Sequence, residues 1–144
     1  MGRLPAPKTK GGPRIPGIEP ETPTVHQRPT IGFRYCEPGG EDCLSEWQKG
    51  ELRKLVSMFQ KFEERTLIQI MGTGGKLGTK TGLGYTPLDR KAFKRPVPAT
   101  ITADVQSFFE VRADNDLRVF GFWEAGRHAQ FFRFHKGHKA LKGQ

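Results

Sequence analysis

The chain has 144 residues, 35% of them hydrophobic, with 24 Lys+Arg against 15 Asp+Glu and a net charge of +9. That length suits one domain with one modest core, and no apolar run approaches the length of a membrane span. A positive surplus of this size favours polyanionic partners, phosphate backbones first, over small neutral substrates.

Residues 1–30 hold most of the prolines and few large apolar side chains. Such a stretch cannot offset its ordering entropy by burial, so a disordered Pro/Gly-rich tail is expected. Met1 to Lys10 lacks the apolar core of a signal peptide. The expected location is therefore the cytoplasm, without membrane contact and with Cys36 and Cys43 reduced, although a disulfide across the intervening Pro-Gly-Gly turn is geometrically possible. No second Cys/His pair sits at zinc spacing, so neither a structural metal nor a cofactor is expected.

Thr30 to Cys36 (TIGFRYC) alternates Ile31, Phe33 and Tyr35 as a first strand would. A turn follows at Glu37 to Cys43. Ser45-x-x-Gln48 predicts a helix start, and Leu52, Leu55, Val56, Phe59 and Phe62 predict its buried stripe. A short helical segment is expected at Thr66 to Met71. Gly72 to Gly84 is glycine-rich and carries Lys76 and Lys80, but it fits neither phosphate-cradling fingerprint: Leu77 follows Gly75-Lys76. It is expected to be a mobile basic loop. Asp89 to Arg95 then places Lys91, Lys94 and Arg95 around Phe93.

Three aromatic-rich runs close the chain: Gln106 to Arg112, Leu117 to Trp123 and His128 to Phe134. Short polar separators predict hairpins, hence an antiparallel three-stranded meander, with Gly121 at a bend or close backbone approach. The helices should cover one face, giving an α+β fold over residues 31–144. The other face should be the charged one. Residues 111–144 carry seven Lys/Arg against three Asp/Glu, a surplus of +4, and His128, His135 and His138 as well. Arg118 and Arg133, on neighbouring strands, suit a phosphate clamp, and His135 and His138 suit proton transfer. Lys91, Lys94, Arg95, Arg112, Arg127, His128, Lys136 and Lys139 are the expected RNA contacts. No Ser or Cys sits in a nucleophile motif. RNA cleavage needs none, because the substrate's own 2′-OH can attack the adjacent phosphate.

With its opening IGFRY, its LRKLVSMFQKF helix and above all LRVFGFWEAGRHAQFFRFHKGHKAL, the chain resembles the RelE/ParE superfamily of bacterial toxins. The resemblance spans about Thr30 to Leu141. It implies the toxin of a type II toxin–antitoxin pair, an endoribonuclease cleaving mRNA on the ribosome and held in check by an antitoxin protein. It matches Arg118 to the family's phosphate-stabilising arginine and His138 to the histidine after the last strand. Arg133 and His135 fall in the surrounding basic pocket. Lys139-Ala140-Leu141 stands where many members carry a tyrosine. The alternatives are a non-catalytic nucleic-acid-binding or phage-accessory protein of the same fold, or a gyrase-inhibiting toxin.

Overall fold

The computed structural model describes residues 26–39, 41–73, 82–137 and 139–143. The expected tail lies outside the described residues as far as residue 25, and so does most of the expected basic loop, residues 74–81. The end of the expected tail belongs to the fold. Gln27 O accepts from Leu67 N, Arg28 O accepts from the Arg127 guanidinium, and Pro29 is buried.

The fold is α+β. Among the described residues the α-helices and strands run in the order β1 (Thr30–Gly32), α1 (Lys49–Glu64), α2 (Leu67–Met71), β2 (Thr86–Asp89), β3 (Ser107–Asp114), β4 (Leu117–Glu124) and β5 (His128–Lys136). The strands form one five-stranded mixed sheet, β1-β5-β4-β3-β2, in which only the β1–β5 pair is parallel. The sheet is thus wider than the expected three-stranded meander: the expected first strand, shortened to Thr30–Gly32, joins it at one edge and β2 at the other. The added β2 carries Pro87 opposite Phe109, which only an edge strand tolerates.

α1 starts three residues later than Ser45 would set it. Glu51 Oε1 accepts the Gln48 N–H at 2.7 Å, while Ser45 sits in a 3-10 turn. The buried stripe also differs from the expected one. Leu55, Met58 and Phe62 are buried and Phe59 partly so, whereas Leu52 and Val56 are 37% and 54% exposed. The phase i, i+3, i+4, i+7 beginning at Leu55 therefore faces the sheet. Thr66 caps α2 by accepting the Gln69 N–H.

Gly121 lies where a Cβ would come within 2.7 Å of Gln130 O and within 3.2 Å of the Phe109 ring. The β4–β5 register shifts there, so the close approach expected of this glycine is a bulge.

The largest departure concerns the second sheet face, which is not an exposed charged surface. Phe108, Phe120, Phe122 and Phe132 bury a second apolar layer there with Phe93, Val97, Ile101, Ala140 and Leu141. The cover is irregular chain. Phe93 bridges Leu141, Lys94 N donates to Ala140 O, and Lys142 N donates to Ala92 O. The physical reason is that each run supplies aromatics to both faces, and a cover that buries its own Phe93, Val97, Ile101 and Leu141 against four phenyl rings removes both apolar surfaces from water. No helix among the described residues is long and apolar enough to cross a membrane.

Candidate nucleic-acid interface

The covering ribbon sorts its own side chains. Phe93, Ala140 and Leu141 turn into the second core, while Lys91, Lys94, Lys139 and Lys142 are exposed. Two segments some 45 residues apart thus meet in one antiparallel bridge and present four lysines together. Among the described residues none of the four forms an ion pair, so their charge is available to an external anion.

The ribbon runs on to Arg95, which meets the turn before α1. Arg95 Nη2 donates to Asp42 Oδ2 at 2.9 Å and to Glu41 O at 3.0 Å. The other Asp42 oxygen lies 2.8 Å from His135 Nδ1. Asp42 is fixed by its backbone as well. It adopts a left-handed φ of 62°, and its carbonyl accepts the Phe134 N–H. Burial pushes the Asp42 carboxyl upward, but hydrogen bonds from His135 and Arg95 outweigh it and hold the group below its ordinary range. Asp42 therefore orients the imidazole through Nδ1, which leaves Nε2 as the reactive nitrogen.

Behind His135 lies a row of basic residues. Arg112 pairs with Arg118 across β3–β4, and Arg118 with His135 across β4–β5. Arg118 Nε is 3.2 Å from Glu110 Oε2, with side chains only 7% and 3% exposed. Burial raises the Glu110 carboxyl pKa despite the nearby Arg118, Arg112 and His135. The Glu110–Arg118 pair is a charged floor, out of reach of a substrate at the surface.

Arg118 and Arg133 do not form the expected clamp. Arg133 pairs with Phe120 rather than Arg118, and its guanidinium donates to Arg95 O at 2.8 Å and Pro96 O at 2.7 Å. It lies against the Phe93 and Phe132 rings. Burial, then the Arg95 charge, lowers its pKa to about 10, so it is still a cation at neutral pH. It is a strut for irregular backbone. His138 lies outside the described residues.

The other expected contacts scatter. Arg127 donates to Arg28 O, and His128 Nδ1 meets Thr30 Oγ1 at 2.6 Å, so both tie β1 to the sheet. Seven residues of extended strand separate His128 from His135, about 23 Å. Lys136 turns to the other sheet face, where it meets Glu51 Oε1 at 3.1 Å and Glu46 O. Arg112 is half-buried, with Nε lacking a hydrogen-bond partner.

Asp42 and Glu110 are site residues missed by the sequence reading. A carboxylate interrupting the aromatic run Phe108-Phe109-Glu110-Val111 was a signal for Glu110; Asp42 in its turn gave none. Among the described residues no group of three or more His, Cys, Asp or Glu could hold a metal ion. Comparisons of the chain with family models, with curated proteins and with solved structures each give no match.

Proposed function

We propose that this chain is a toxin-type endoribonuclease of RelE-like fold that cleaves mRNA on the ribosome and is neutralised by a cognate antitoxin. The observation that carries the reading is the lysine ribbon leading through Arg95 to an imidazole oriented by Asp42. Lysines along a ribbon hold a phosphate backbone without reading its sequence. At the end of the ribbon, His135 Nε2 takes the proton of a substrate 2′-OH. The freed oxygen attacks the adjacent phosphorus, and the bond to the 5′-oxygen breaks, leaving a 2′,3′-cyclic phosphate. The imidazolium returns its proton to the departing 5′-oxygen. Arg95, partly exposed in its ion pairs with Glu41 and Asp42, is the cation assigned to meet the charge that grows on the phosphoryl oxygens. Arg118 and Glu110 serve from behind, holding the strand row that carries His135.

The test is induced expression with growth measurement and mapping of mRNA 5′ ends. His135→Ala should lower cleavage by about 10²-fold or more while the fold persists. A folded His135→Ala protein as toxic as wild type would sink the nuclease reading.

The burial of Arg118 and Arg133 within the protein favours a second reading, a non-catalytic nucleic-acid-binding protein. That protein would leave ribosomal mRNA uncut. It would still bind RNA with a steep salt dependence, and it would lose about one unit of salt slope for each ribbon lysine removed.

A further inference from the structure

Cys36 and Cys43 line the same cavity, about 400 Å³ in volume, with Phe33, Pro38, Leu44, Phe132 and Phe134. Both are free thiols, and both are partly accessible. Their surroundings differ in kind. The Cys43 sulfur accepts the Gly39 N–H at 3.3 Å, whereas the Cys36 thiol donates to Phe131 O at 3.1 Å. One sulfur is thus held as an acceptor and the other as a donor, at the two ends of one turn.

We propose that Cys43 is a hydroperoxide-reactive modification site and that Cys36 is its resolving thiol. The Cys43 thiolate attacks one peroxide oxygen. The O–O bond breaks, the departing oxygen leaves as water or an alcohol, and Cys43 becomes a sulfenic acid. The Cys36 sulfur then attacks the Cys43 sulfur, the S–O bond breaks, and water leaves. In total two thiols give up two electrons and two protons, and one hydroperoxide is reduced to water and an alcohol or to two waters.

The electrostatics divide the labour the same way. Hydrogen bonds from the Ser45 side chain and backbone and from Gly39 lower the Cys43 thiol below 9.0. Burial, then the neighbouring Cys43 sulfur, pushes Cys36 up to about 11. Cys43 thus holds the larger thiolate fraction at neutral pH, and the lower intrinsic nucleophilicity of the more acidic thiol takes back only part of that advantage. Cys43 should therefore alkylate at least about tenfold faster than Cys36 at neutral pH. The turn that the bond would close carries Asp42, so the modification sits beside the residue that orients His135.

The full chain, treated with one equivalent of hydrogen peroxide, should lose the mass of two hydrogens, with the crosslink mapping to Cys36–Cys43. Cys36→Ser should instead accumulate a sulfenic acid on Cys43 that dimedone traps. In Cys43→Ser, Cys36 should stay reduced at the same dose. Iodoacetamide competition on the wild-type protein repeats the ranking without any variant. Equal alkylation of the two thiols, oxidation of Cys43→Ser as fast as wild type, or a wild-type product that stops at the sulfenic acid would each overturn the proposal.

Discussion

The two faces of the sheet bury comparable aromatic layers under different covers. On the first, α1 and α2 lie over Phe109, Val111, Val119 and Phe131. A helix satisfies its own backbone, so that cover asks only for an apolar stripe. On the second, irregular chain lies over Phe108, Phe120, Phe122 and Phe132. Irregular chain leaves carbonyls unpaired, and two arginines, Arg133 buried and Arg90 half-buried, answer them. Arg133 takes the carbonyls of Arg95 and Pro96, and Arg90 takes those of Ile101, Thr102 and Val105. Two sheet faces can thus be equally hydrophobic while one requires cations within the cover.

That contrast can be broken most severely at Glu110. Glu110→Ala should cost about 3–5 kcal/mol by leaving the Arg118 guanidinium buried without its carboxylate. The double change Glu110→Leu with Arg118→Met should recover most of the loss, as read by urea midpoints. A single variant as stable as wild type would show that this pair matters little to the second face.

Next comes Arg133→Met, which keeps the apolar stem and removes the donor. Two part-buried carbonyls lose their charged donor, at a cost of about 2 kcal/mol. Hydrogen-exchange protection should fall around residues 93–97 and 140–142 while α1 stays protected. Uniform loss over both faces would blur the distinction drawn here.

Asp42→Asn sharpens the comparison at the edge where the two covers meet. The folded carboxyl lies below its ordinary range, so its stabilising contribution is present above the unfolded value near 4 and lost as pH falls through the folded one. The variant should be about 1.5 kcal/mol less stable at pH 7, and the gap should close below about pH 4. Thermal midpoints across that range check the sign. The smallest effect belongs to Val56→Ser on the outer side of α1, within about 0.5 kcal/mol, because that side chain is mostly in water.

What could be read in the sequence follows the same division. Helix and strand periods announce themselves, so α1, α2 and β3 to β5 emerged within a few residues. The α1 stripe slipped because Met58 belongs to it, which centres the buried face on Leu55, Met58, Phe59 and Phe62 and leaves Leu52 and Val56 outside. β2 escaped because Pro87 disguises a strand that pairs on one side only. The second cover has no period, so Asp89 to Arg95 reads as charge although Phe93 anchors it. The candidate site was half legible for the same reason. His135 and the lysines lie where their local sequence suggests, but Asp42 reaches His135 only through a turn 93 residues earlier. Arg118 and Arg133 were read as exposed because charge in a strand usually is.

The parallel pairing of β1 with β5 bears on how the chain is made. Thr30 finds its partner at His128, and Phe93 waits for Leu141. Synthesis is vectorial, so the first strand must remain unpaired while nearly a hundred further residues emerge. The first sheet face lacks β5, the strand between β1 and β4, until that segment emerges, and the second stays unsealed until Ala140 and Leu141 follow. Folding should be a late event dominated by long-range closure, slow for a domain of this size, with the aromatic runs in need of protection in the interval.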